Sequence, residues 1–168
     1  MLGMLTRYRN RTPGPAVVLD AGTRLFTIGY QGYSRQAYLK ALVSRSVTVL
    51  CDLRRTAVSR DADFGRLALG RACADAGIRY EHLWQLGAHS ESQRVPRTRE
   101  GRESRLEDFV LRTLPNQQPL LDGIHTWLLN GERVALTCFE RQPAECHRAC
   151  VADQLQQIYG EHCTPIHL

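Results

Sequence analysis

The sequence predicts an α/β fold: a three-layer sandwich with a mainly parallel sheet. Three observations predict it. Strand-like and helix-like segments alternate in the order β-α-β-α-β, a polar loop, then α-α-β-α-β. The run Val47-Thr-Val-Leu-Cys51 is uninterrupted and β-branched, as in a strand buried on both faces of a parallel sheet. Polar residues gather just beyond the predicted strands, where open α/β sheets bind their ligands.

Residues 1–22 read as a tail, with Arg7, Arg9 and Arg11 ahead of Thr-Pro-Gly-Pro, and residues 23–168 as one α/β domain. Arg24 to Ile28 reads as the first strand, ending at Gly29. Ser34 is a good N-cap for a helix from Arg35 to Ser44, with Tyr38, Leu39 and Leu42 on one face. The second strand is Val47 to Cys51. A helix from Arg66 to Ala76 closes at Gly77, and Ile78 to His82 is a third strand.

From Gly87 to Gly101 periodicity fails, and the segment carries His89, Arg94, Arg97 and Arg99. Loops of this length are usually binding loops or lids. Glu103 to Leu114 reads as helical, and Pro119 opens another helix to Leu129. Val134 to Cys138 is the fourth strand and His147 to Ile158 the last helix. Cys163 to Leu168 reads as a short final strand, with Pro165 arguing for a sheet edge.

The chain has 168 residues and a formal charge of +5; of its 22 basic residues only Lys40 is lysine. Arginine offers a planar fork suited to phosphate and carboxylate, which points to an anionic partner; codon bias explains the excess equally well. No apolar run approaches the roughly 20 residues of a membrane span. The first residues lack the apolar stretch of a secretory signal, so a cytoplasmic location is expected. Cys73 and Cys163 are read as buried free thiols.

Three clusters carry chemistry. Tyr30-Gln-Gly32-Tyr33-Ser34 can present backbone N–H groups to an anion at a capped helix start, or can be a tight turn. Asp52 and Arg54 stand two apart at a strand end and share a face. They form either an internal salt bridge or an acid beside an anion-binding arginine, with Ser59 and Arg60 following.

The third cluster, Cys138 to Arg148, leaves four readings open. Cys138 or Cys146 can be a thiol nucleophile activated by His147, Arg148 or the helix N-terminus. Cys138, Cys146, His147 and Cys150 can hold a metal, but no Cys-x2-Cys pair exists and adjacent Cys146 and His147 would point apart on a helix. Glu140 and His147 can do acid/base work while Arg148 holds an anion. Or the cluster is structural. Cys138 to Arg148 is too long for the Cys-x5-Arg loop of cysteine phosphatases, and Arg141 comes too early. Among the remaining histidines, His82 is expected to face the core, His125 a helix surface, and His162 and His167 the surface or a strand end.

Several short motifs occur in order: Thr27-Ile-Gly-Tyr30 with Ser34, Asp52-Leu-Arg54 with Ser59-Arg60, Gly77-Ile-Arg-Tyr80 with Leu86-Gly87, Cys138-x-Glu140 with Cys146-His147-Arg148, and Ile166-His167. Together they resemble the domain of unknown function 488 family, over roughly residues 24 to 168. The resemblance implies a small α/β protein of bacteria or archaea with no generally established activity. It also implies a polar pocket of Asp52, Arg54, Ser59, Arg60, Cys138, Glu140, Cys146, His147 and Arg148. Two departures stand out: Ala57 occupies a usual proline position, and Ala88 replaces the second glycine of Leu-Gly-Gly.

The expectation is an enzyme acting on an anionic, phosphate-bearing ligand such as a nucleotide or nucleic acid. Asp52, Cys138, Glu140, Cys146 and His147 are the expected catalytic groups. Tyr30, Ser34, Arg54, Ser59, Arg60 and Arg148 would hold the ligand. No metal, cofactor or membrane contact is assigned. The alternative is a non-catalytic module binding a nucleic acid or protein through the same pocket and the Arg-rich loop.

Overall fold

The computed structural model describes residues 24–88 and 98–168. The tail with Arg7, Arg9 and Arg11 lies outside the described residues, as do His89, Arg94 and Arg97 of the polar loop.

Among the described residues, five parallel strands form one sheet in the order β3-β2-β4-β1-β5. They are β1 (Leu25–Gly29), β2 (Val49–Asp52), β3 (Arg79–His82), β4 (Val134–Cys138) and β5 (Ile166–His167). The central strands β1, β2 and β4 are buried at every position. This is why they read as apolar runs rather than alternating ones. The expected edge strand is there: among the described residues β5 pairs only with β1, and Thr27 Oγ1 lies 2.7 Å from Nδ1 of His167.

Side chains alternate along each strand, so successive residues feed opposite layers. Phe26, Ile28 and Leu50 pack with Tyr38 and Leu42 of α1 (Arg35–Ser44) and with Leu69 and Cys73 of α2 (Arg66–Asp75). Leu25, Val49, Cys51, Val134 and Leu136 pack on the other face. Their partners are Leu121, Ile124 and Leu128 of one helix (Gln118–Leu129), and Val151, Ala152 and Leu155 of another (His147–Tyr159). In chain order these two helices are α4 and α5, because α3 (Arg99–Asp108) precedes them.

Helix α3 starts four residues earlier than periodicity suggests. Thr98 accepts a hydrogen bond from the Gly101 N–H at 3.2 Å and caps it there. It runs into a wide π turn (Phe109–Thr113) and a 3-10 turn (Leu114–Gln117) instead of continuing to Leu114.

Strand β2 hands its chain to α2 on one face, while its neighbour β4 hands its chain to α5 on the other. The carboxyl ends of β2 and β4 therefore flank a topological switch point, the place where α/β sheets open a crevice. Among the described residues no helix is long and apolar enough to cross a membrane.

Candidate functional site

Three loops meet at this carboxyl edge. The loops after β1 and β4 are zipped together by backbone. Tyr30 N–H donates to Cys138 O at 3.2 Å and Gln31 N–H to Phe139 O at 3.0 Å. Gly29 makes this approach feasible: a Cβ there would stand 1.8 Å from the Glu140 carbonyl oxygen. The loop after β2 joins through Leu53, whose N–H donates to Thr137 O at 3.0 Å.

Asp52 is fully buried. Its Oδ1 accepts from the Arg54 N–H at 3.1 Å and Nε at 2.9 Å, and its Oδ2 from Arg54 Nη2 and the Tyr80 hydroxyl, each at 2.5 Å. Arg54 spends Nη1 on the Tyr30 hydroxyl (3.1 Å) and the Phe64 carbonyl (2.8 Å). Burial alone would disfavour its charge, but Asp52 more than offsets this and holds the guanidinium protonated. Burial, then the Asp52 charge, pushes the Tyr80 hydroxyl well up. The pair is thus the internal salt bridge of the two sequence readings, with Tyr80 as a third member that spacing did not reveal. Tyr80 becomes visible only through the parallel register that sets Asp52 opposite His82.

Arg148 is also fully buried. Its Nη1 donates to the Glu140 carbonyl and its Nη2 to the Arg141 carbonyl at 2.9 Å, which stitches the start of α5 to the loop after β4. Ser34 does what a cap does, accepting from Ala37 N–H at 3.2 Å. Ser59 Oγ accepts from Asp61 N–H at 3.2 Å and from the Tyr30 hydroxyl at 3.4 Å. Tyr30 stacks on Phe64 with centroids 4.5 Å apart, and so braces the loops after β1 and β2. Arg60 and Arg141 are exposed.

The reactive side chains converge on Cys138. Its Sγ lies 3.6 Å from Glu140 Oε2 and 3.8 Å from His147 Nδ1. His147 Nε2 sits 3.3 Å from the Leu53 carbonyl, an oxygen that can only accept. The ring proton therefore belongs on Nε2, which leaves Nδ1 a free acceptor facing the thiol. Phe109 meets the ring edge-on at 5.5 Å. A thiol with a base in reach, and a base oriented by a third group, is the arrangement nucleophilic catalysis uses.

Cys146 is 1% exposed, and burial, with the neighbouring Cys138 next, pushes its thiol well up, so it is a poor nucleophile. The expectation that Cys146 and His147 diverge does not hold. Cys146 is the extended N-cap residue (φ −132°, ψ 135°) and His147 the first helical one, so both turn toward Cys138. The ligating atoms of Cys138, Cys146 and His147 all lie within 4.8 Å of one another, and Cys150 stands outside this group.

A parallel three-layer sandwich with its polar chemistry on the loops after β1, β2 and β4 defines the structural class. Within that class the chain belongs to the family "Domain of unknown function DUF488", whose model matches residues 34–155. No curated protein matches the chain. Two crystal structures from Shewanella putrefaciens CN-32, described as a candidate phosphatase of the DUF442 group, are similar to it in part. One is 17% identical, with a TM-score of 0.43 over 84% of this chain and 69% of that one. The other is 14% identical, with a TM-score of 0.38 over 84% and 91%. At those scores the likeness transfers no chemistry.

The family's short motifs acquire physical reasons here. Gly87 packs so closely on the loop after β2 that a Cβ would stand 2.5 Å from Arg55 N and Leu53 O. Ala57 is buried, and its carbonyl accepts the Arg66 N–H at 2.9 Å, which starts α2.

Proposed function

We propose that this protein is a thiol-dependent enzyme acting on an anionic, phosphate-bearing substrate at the carboxyl edge of the sheet. Cys138 is the nucleophile and His147 the base that takes its proton through Nδ1. Glu140 is a second acceptor beside the thiol. The observation that carries the reading is the Cys138–His147 pair, 3.8 Å apart, with the far side of the imidazole fixed by the Leu53 carbonyl.

Asp52, Arg54 and Arg148 act in this reading by bracing the three loops, because most of their hydrogen-bonding groups are spent inside the protein; among the described residues Arg148 Nε is buried without a partner. Attraction of the anion falls to the exposed Arg60 and Arg141, on the loops after β2 and β4.

The test compares two alkylating agents on the folded protein. Negatively charged iodoacetate ordinarily reacts more slowly with a thiolate than neutral iodoacetamide. At Cys138 the preference should shift toward iodoacetate, and the shift should shrink with added salt and in the Arg60→Ala, Arg141→Ala double variant. An unshifted preference would remove the anionic substrate from the reading.

One observation favours a non-catalytic binding module instead: Cys138 is only 4% exposed. Anisotropy of a labelled single-stranded oligonucleotide, titrated at several salt concentrations, separates the two. A steep salt slope with Cys138 inert to alkylation would favour the binding module.

A further inference from the structure

A second cluster of ligating side chains lies outside the carboxyl-edge loops. His125 comes from α4, and His162 and Cys163 from the 3-10 turn (Glu161–Cys163) that follows α5. The two imidazole Nε2 atoms are 3.0 Å apart, and the Cys163 Sγ completes a group whose ligating atoms lie within 4.8 Å of one another. We propose that these three residues bind a divalent transition-metal ion of the zinc class.

The spacing suits such an ion. Two nitrogens bound tetrahedrally to zinc at ~2.0–2.1 Å stand roughly 3.3 Å apart, so the pair needs a shift of only a few tenths of an ångström. The His125 ring is held in place. It stacks on Tyr159 with centroids 3.9 Å apart and planes 14° from parallel. The Tyr159 hydroxyl donates to Asp122, whose Oδ1 also takes the Gln118 amide at 2.9 Å. Without a metal, the two Nε2 atoms satisfy each other only if one carries a proton and the other none.

The donor set of two imidazoles and one thiol selects zinc, cobalt or copper over magnesium or calcium, which prefer oxygen ligands. Cys163 is fully buried while His162 is exposed, so the ion enters from the His162 side and keeps its fourth position open to water. On binding, the Cys163 S–H bond is replaced by a sulfur–metal bond and that proton leaves to solvent. The proton shared by the imidazoles moves to an Nδ1. Because the Cys163 thiol must release its proton to bind, affinity climbs with pH. The ion would tie α4 to the turn that leads from α5 into β5.

The experiment uses the full chain after treatment with a chelator. It is titrated with Zn²⁺ alone by calorimetry and with Co²⁺ alone by absorbance. The expected result is a tightly bound equivalent with a thiolate-to-cobalt charge-transfer band, and a melting temperature that rises with Zn²⁺ concentration. His162→Ala changes an exposed side chain and leaves the core intact. It should lose that equivalent, or weaken it at least tenfold, and abolish the thermal shift, whereas Cys138→Ser at the sheet edge should retain both. Absence of binding would overturn the proposal. So would binding that survives His162→Ala and disappears in Cys138→Ser.

Discussion

Arg54 makes four side-chain hydrogen bonds, two to Asp52, one to Tyr30 and one to Phe64, at 6% exposure. Removing it leaves a fully buried carboxylate without its partner, so Arg54→Ala should destabilise the protein by about 3–5 kcal/mol in urea titrations. Lysine cannot reproduce the fork and should rescue little. Ser34 offers the opposite case. Its hydroxyl caps α1, so Ser34→Ala should cost ~1 kcal/mol and leave the alkylation rate of Cys138 unchanged. A large drop in that rate with little loss of stability would return Ser34 to the ligand-binding role its sequence context suggested. Spacing showed that Asp52 and Arg54 share a face. It did not show that Tyr30, Phe64 and Tyr80, from three other segments, take up most of the remaining hydrogen-bonding capacity of the pair.

At the scale of elements, the site depends on how closely the loops after β1 and β4 approach. Gly29→Ala would drive a methyl group into the Glu140 carbonyl, which lies 1.8 Å from the built Cβ. Overpacking of this kind costs about 1–3 kcal/mol, and here it also separates the two loops. Thermal melts should therefore show destabilisation together with loss of selective Cys138 chemistry. The elements themselves were largely legible. The β-branched run before Cys51 and the apolar run Val134 to Cys138 announced buried strands, and Ser34 announced a helix start. The start of α3 was misplaced because its cap, Thr98, sits inside an Arg-rich polar stretch with no apolar stripe to mark it. The convergence of Cys146 and His147 was missed for a related reason. Whether a residue is the N-cap or the first helical residue reverses its direction, and the local sequence leaves that choice open.

For the whole molecule, the sheet divides two apolar layers, and each buries thiols that stay protonated. Burial first, then the Asp52 charge, pushes Cys73 from 9.0 up to about 12, and burial also raises Cys51. Between pH 9 and 12 the unfolded chain has lost the Cys73 proton while the folded one keeps it. The unfolded state then binds fewer protons, so stability falls as pH rises through that window. Urea midpoints should decline above pH 9, and Cys73→Ala should flatten the decline while lowering stability at neutral pH. The three-layer architecture and the gathering of the polar clusters at the carboxyl edge of the sheet followed from strand–helix alternation. The pairing of His125 with His162 did not, because 37 residues separate them and only the packing of α4 near the end of α5 brings them together. The proposed function requires Cys138 to be a thiol with a working base. Its most direct test is the alkylation rate of each cysteine in the folded protein, mapped by peptide mass spectrometry with and without His147→Ala. The expected result is that Cys138 reacts at least ~10-fold faster than Cys51, Cys73 and Cys146 and loses that advantage in the variant. A Cys138 as inert as the core thiols, or one indifferent to His147, would contradict it.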